Sequence, residues 1–427
     1  MKKKFIVIGS GPASLATCQI LRKKDYEVTV IDGGGKDLPA LVKNRTIASQ
    51  INDAGSFKNH WSNHALRKIG GTSHVWGGWT THYPDDDDWM PPETKHYYRE
   101  QAYNFLGHKV TGKFNADTDN FSCHPYFWRS PRRVTLDDFK NLGVNILFDH
   151  HVLQISQSKN STNLVVVKST DLNRHIQIKL PKSELVLAAG ASFNAGILMA
   201  SSNDIALSSN VGLNLSERPK AYVLGHFIAT DKFLDYVDDL KKDFKSNTSV
   251  LYISIALKGR NSSKGDLIMH FVLSPPVEES SSFKSLINKS NSKPIFRMEA
   301  RFGQLYRKTN RLFMKNEKLH AFCSWDEDLL IAKKEAINFA NAMESDFEVN
   351  FIFENDWDKK IGGSGHTLGT TIQDYNNVVN PVVDKQFQVV GNEDIHVIGS
   401  SNFPISHVVN PTLTIVQESL RFANQFM

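Results

Sequence analysis

Cysteine is scarce in this chain. Its 427 residues hold three, Cys18, Cys123 and Cys323, too far apart for a disulfide framework and without the paired spacing of a structural zinc site. No metal is therefore expected, and a reducing compartment, the cytoplasm by default, fits this usage best. Long apolar runs are also missing. After Lys2 to Lys4 the run from Phe5 to Ile8 is stopped by glycine, too short for an export signal. No stretch approaches the roughly 20 apolar residues that cross a bilayer, so no transmembrane segment is expected. Nor does charge of one sign accumulate: 50 basic residues face 45 acidic ones, a net charge of +5. The one strong single-sign cluster is acidic, Asp85 to Asp88, which is no nucleic-acid footprint. What remains is ordinary globular usage, 40% hydrophobic and 22% charged, in a chain long enough for two domains.

The N-terminus reads strand, turn, helix, strand. Phe5 to Ile8 is apolar, Gly9-Ser-Gly11-Pro-Ala-Ser14 is the turn, a helix runs to about Lys24, and Glu27 to Asp32 is the second strand, which completes a βαβ unit. Alternating apolar residues return at Asn145-Ile-Leu-Phe and Leu164-Val-Val-Val, as later strands of the same sheet or of a ribbon laid against it. Leu185-Val-Leu-Ala-Ala189 is a short buried strand that runs into Gly190. From about Ser216 to Trp357 the runs alternate, as in Ser249 to Ala256 and Leu267 to Leu273, with polar connections at 261–264 and 278–292; this is an antiparallel second domain. One helix, about Asp326 to Met343, interrupts it. The chain then returns to a strand at Ile395 to Ile398 and ends in a helix from about Pro411.

A glycine turn between strand and helix lets backbone approach a pyrophosphate, whose charge the unpaired N–H groups and the positive helix end stabilise. Gly9, Gly11 and Ser14 follow that pattern, with Pro12 and Ala13 at the helix start and Asp32 placed about 20 residues on to accept ribose hydroxyls. Dinucleotide binding follows, but the motif alone does not choose between FAD and NAD.

Five segments taken together choose. The Gly9 turn, Gly70-Gly-Thr-Ser-His-Val-Trp-Gly-Gly78, Glu184-Leu-Val-Leu-Ala-Ala-Gly-Ala191, His366-Thr-Leu-Gly-Thr370, and Gly399-Ser-Ser-Asn-Phe-Pro404 leading to Asn410-Pro-Thr-Leu-Thr-Ile415 stand in the order of the glucose-methanol-choline (GMC) family of FAD-dependent oxidoreductases, which the chain resembles over nearly its whole length. The tryptophan-bearing loop and Gly-Ser-Ser look most like the pyranose oxidase and sugar dehydrogenase branch. The resemblance implies an α/β fold: a Rossmann-like FAD-binding domain with a parallel sheet, drawn from residues 1–110, 145–215 and 360–427, and a smaller substrate domain on an antiparallel sheet, 216–359, with 111–144 as a connecting segment. It implies FAD contacts from Gly71, Thr72, Ser73, Trp76, Gly77 and Gly78 in the loop. Val152, Ala189, Gly190, Ser400, Ser401, Pro411 and Thr412 are the further FAD-binding candidates, with Asn410. Val75 stands where some relatives carry a histidine bonded to flavin, and His74 comes one place early, so the FAD is expected to be noncovalent.

Oxidising an alcohol needs a base near neutral pH, for which histidine is suited. The resemblance makes His366 that base and Asn410 the residue whose amide holds the substrate oxygen. For Asn410 a helix cap competes, since Asn-Pro is a strong helix start; His407, three positions early, is a weaker rival. The expected reaction is oxidation of a sugar, polyol or related alcohol, small or carrier-bound, by hydride transfer to flavin. The electron acceptor stays open, oxygen, quinone or a partner protein. Two other readings stand beside it: a non-redox lyase on the same fold, and a non-catalytic FAD-binding subunit.

Overall fold

The computed structural model describes residues 3–34, 51–55, 68–81, 90, 94–108, 117–128, 131–158, 161–168, 171–180, 183–243, 251–260, 266–316, 318–375 and 378–426. The acidic cluster Asp85 to Asp88 and the connection 261–264 lie outside them.

Strand Lys4–Ile8 is apolar on both faces, with Phe5 and Val7 fully buried, as the centre of a parallel sheet must be. It sits fourth in a six-stranded sheet of order Gln388–Val389, Asn392–Val397, Glu184–Leu187, Lys4–Ile8, Glu27–Ile31, Asn145–Leu147. All neighbours are parallel except the first pair. Register brings Leu187, Ile8 and Ile31 level, so the chain leaves these strands at one edge. Gly9 follows at φ +98°, and a Cβ there would stand 2.6 Å from the Ala188 carbonyl oxygen. Only glycine meets both demands. Helix Pro12–Lys23 starts immediately afterwards, with no side-chain cap at Gly11.

The two later β signals part company. Asn145–Leu147 joins the parallel sheet, whereas Leu164 belongs to a three-stranded antiparallel ribbon, His150–Ser158, Ser161–Lys168 and Asp171–Leu180. The second large sheet is antiparallel: Ile352–Phe353, Pro219–Ile228, Ile295–Phe302, Met269–Ser274, Leu251–Leu257, Phe121–Trp128 and Trp79–Thr80, with Ile361–Gly363 also on Pro219–Ile228. The segment 111–144 thus supplies a strand to this sheet, anchored by fully buried Phe121 and by Tyr126. Against the sheet lies helix Asp326–Phe347, one turn longer than its sequence pattern suggests. Ala332, Ala336, Phe339, Met343 and Phe347 form its buried stripe, and Phe339 stacks on Phe271 at 3.8 Å.

The last helix, Thr412–Asn424, buries Leu413, Val416, Leu420 and Ala423. It packs on Pro12–Lys23. Lys24 Nζ donates to the carbonyls of Ala423, Asn424 and Phe426 at 3.3, 3.1 and 2.6 Å, answering carbonyls that a helix end leaves open. The two helices therefore hold their N-termini beside one cavity. No helix of the described residues is long and apolar enough to cross a membrane.

Candidate active site

A cavity of about 670 Å³ runs between the carboxyl edge of the parallel sheet and one face of the antiparallel sheet. At one end Gly9, Ser10, Gly11, Pro12 and Ala13 form its wall. A Cβ on Gly11 would meet nothing within 4 Å, and the helix start behind it carries no side-chain cap. This turn fits a pyrophosphate in shape and polarity. Asp32 lies beside it and accepts Ser10 Oγ at 2.7 Å and the Gly34 N–H at 2.6 Å. Burial pushes its carboxyl up from the ordinary carboxylate range, and these hydrogen bonds pull the other way. Ser10 in turn accepts the Gly70 N–H at 2.9 Å, which ties the turn to the second glycine loop; the sequence pattern did not single it out. Ser14 stays off the cavity, its Oγ 3.9 Å from Cys18 Sγ inside the helix packing.

From the second loop Gly71, Thr72, Ser73, Trp76 and Gly77 reach the cavity, and Gly78 does not. Ser73 Oγ accepts the Val134 N–H at 3.0 Å. Val75 lines the cavity. His74 Nε2 lies 2.9 and 3.0 Å from the Ile69 and Val134 carbonyls, outside the lining. Burial, together with Lys68, lowers its basicity. Val152, Ala189 and Gly190 line the opposite wall, and Ser400, Pro411 and Thr412 come from the C-terminal segment. Ser401 is fully buried instead, accepting from Asn194 Nδ2 at 3.0 Å and donating to Asn402 Oδ1 at 3.2 Å.

His366 also lines the cavity, in the turn after strand Ile361–Gly363. Glu217, buried beneath, accepts three backbone N–H groups at one oxygen: His366 at 2.6 Å, Arg218 at 3.1 Å and Ser364 at 3.2 Å. Burial pushes its carboxyl up while those N–H groups and Arg218 pull it down. One carboxylate thereby fixes the whole turn. Ser364 Oγ donates to the Arg218 carbonyl at 2.6 Å and accepts Arg218 Nε at 3.0 Å. Its single proton is spent, so His366 Nδ1, 3.3 Å away, must be the donor between them. In the neutral ring this places the basic lone pair on Nε2.

Asn410 shares the cavity with His366, but its amide is not a helix cap. The helix begins at Thr412 with Pro411 as its half-helical start and no side-chain cap. Instead Asn410 Oδ1 accepts Arg218 Nη1, and Nδ2 donates to the Trp79 carbonyl at 2.8 Å. A guanidinium only donates and a carbonyl only accepts, so the amide orientation is fixed by chemistry. The capping alternative falls because an ionised donor outcompetes a neutral helix N–H. Among the described residues one Nδ2 hydrogen is left over. His407 is buried at 1% exposure, away from the cavity lining, and its Nδ1 accepts the Val409 N–H at 3.1 Å.

Arg218, Lys220 and Arg301 were not foreseen, and all three line the cavity. Arg218 is the joint of the site: Nε reaches Ser364, Nη1 reaches both Asn410 and the Val408 carbonyl at 2.7 Å. Its signal in the sequence was faint, a Glu217-Arg218-Pro219 step at the mouth of an apolar strand.

Residues 297–417, which carry His366 and Asn410, match the family model described as GMC oxidoreductase. The match takes in the last two of the five segments on which the resemblance rests, and the α/β architecture is shared with solved structures along the whole chain. Aspergillus oryzae formate oxidase superposes with a TM-score of 0.60 at 14% identity, over 99% of this chain and 98% of that one. Pyridoxine 4-oxidase from Mesorbium loti gives 0.59 at 13%, over 100% and 99%. No curated protein matches the chain.

Proposed function

We propose that the chain binds FAD along this cavity, noncovalently, and oxidises a CH–OH group of a small hydroxyl compound such as a sugar, polyol or related alcohol. The observation that carries the reading is convergence: the glycine turn with Asp32, and His366 with Asn410, line one cavity. FAD, when bound, supplies the acceptor for the hydride. The chain's own residues do the rest. His366 Nε2 takes the hydroxyl proton, because Ser364 keeps the other ring nitrogen protonated. The spare Nδ2 hydrogen of Asn410 holds the substrate oxygen, while Arg218 and the Trp79 carbonyl keep the amide from turning. The N-terminus at Pro411 and Thr412 turns a positive helix end toward the cavity. The engagement of His74 with two carbonyls, and Val75 on the wall in its place, favour a noncovalent complex.

Replacing His366 by alanine tests this. Anaerobic flavin reduction by an alcohol substrate should slow about 10²- to 10⁴-fold, the usual worth of a positioned base. An unchanged rate would remove His366 from the role.

A further inference from the structure

The identity of the hydroxyl compound is narrowed by the basic end of the cavity. Lys220 and Arg301 face each other in register on strands Pro219–Ile228 and Ile295–Phe302, each with a side chain 14% exposed. Arg218 just ahead of them is 4% exposed. Burying cations is costly unless carboxylates match them, and here the match is short. Glu299 alone serves Lys220 at 2.7 Å, Arg297 at 3.0 Å and Arg301 at 3.2 Å. Glu217, the carboxylate next to Arg218, is spent on three backbone N–H groups. Neither glutamate lines the cavity. Four cations against two carboxylates leave two positive charges without a counterpart in this cluster. Burial and mutual repulsion show in the groups themselves: Lys220 is pushed down to about 8 and Arg218 to about 10. Donors remain as well. Among the described residues Arg301 Nε is buried without a hydrogen-bond partner, and the bonds of Arg218 use Nε and Nη1 only.

The glycine turn, which suits a pyrophosphate, belongs to the parallel sheet; these cations belong to the antiparallel sheet and are bonded into the His366 and Asn410 end. The surplus charge therefore faces the substrate. We infer that the oxidised hydroxyl is carried on an anionic compound, a phosphate ester, whose charged group sits among Arg218, Lys220 and Arg301. A phosphate is favoured over a carboxylate because its three terminal oxygens can answer the three cations that line the cavity, Arg218, Lys220 and Arg301. The inference rests on the FAD-dependent reading above and names its substrate class.

The test has a binding arm and a redox arm. Inorganic phosphate is titrated by calorimetry into the protein as purified, into Lys220→Met and Arg301→Gln, and into Lys220→Arg. Wild type should bind, the first two should bind about tenfold or more weakly, as for lost bonds to an ionised group, and Lys220→Arg should recover most of the affinity. Anaerobic flavin bleaching is then compared for polyols and sugars, their phosphates, and the matching hydroxy acids. Phosphate esters should bleach fastest. A silent phosphate titration, or equal affinity in both neutral variants, overturns the subsite. Neutral alcohols bleaching as fast as their phosphates overturn it too, yet leave the FAD reading intact. Hydroxy acids bleaching fastest overturn the phosphate assignment. Phosphate binding that is lost in the variants of a protein taking up no flavin would keep the subsite and sink the FAD reading.

Discussion

Ser364 decides which nitrogen of His366 carries the proton, and it does so because its own hydrogen is already given to the Arg218 carbonyl. Its removal should free the ring to take the wrong tautomer. In Ser364→Ala we expect flavin reduction to slow about tenfold, less than the 10²- to 10⁴-fold worth of the base itself, with KM little changed and the pH profile of reduction displaced. Ser364→Thr, which keeps the hydroxyl, should restore both. A slower enzyme with an unmoved pH profile would mean that Ser364 only supports the turn. At this scale the sequence was half legible. His366 and Asn410 stood in motifs whose glycines and prolines mark special backbone, so resemblance could pick them out. Arg218 stood in no such pattern. Its importance arises only when strand Pro219–Ile228 brings it level with Ser364 and Asn410, and a contact across 146 or 192 residues leaves no local periodicity. For the same reason Asn410 looked like a cap: Asn-Pro carries the local signal, and the arginine that claims the amide is remote.

Among elements, the strand that carries this cluster is clamped by a chain of hydrogen bonds. The Val277 N–H donates to His226 Nε2 at 3.2 Å, His226 Nδ1 lies 2.7 Å from Ser282 Oγ, and Ser282 Oγ donates to Glu354 at 2.8 Å. Helix Ser281–Leu286 is thereby fastened to the sheet. The Val277 link requires a neutral His226, since a second ring proton would confront that N–H. Burial, with Arg297 nearby, lowers His226 from its ordinary 6.5 to about 4. A histidine depressed on folding stabilises the protein above its unfolded value and loses that contribution as pH falls toward the folded one. Glu354, held down to about 2 mainly by its serine bonds and Lys360 against a burial effect that raises it, adds a second loss below its ordinary 4.5. The melting temperatures of wild type and His226→Gln should therefore differ most at pH 7 and converge by pH 4.5. A difference that stays constant across that range would contradict the assignment. Elements with one strong period were readable: Lys4–Ile8, Pro12–Lys23 and Thr412–Asn424 follow from their apolar patterns and turn residues. Strand Phe121–Trp128 reads as a connection in the sequence, because its pairing partner Leu251–Leu257 lies far along the chain and Pro125 and His124 break its alternation.

In the whole molecule the cavity exists because two sheets made of interleaved segments meet at the carboxyl edge of the parallel one, where open α/β sheets place ligands. The N-terminal turn, the 70–77 loop, the His366 turn and the last helix come from four distant parts of the chain. Their order was legible; their distances, and the basic wall opposite, were set by packing. One event underlies the proposed function: the carbinol carbon loses a hydride while His366 receives the hydroxyl proton. Its most direct measurement is anaerobic flavin reduction by an alcohol substrate and by the same alcohol deuterated at the carbinol carbon. Bleaching should be slower with deuterium, and slower again by orders of magnitude in His366→Ala. Bleaching indifferent to both the deuterium and the histidine, or absent with every hydroxyl compound offered, would contradict it.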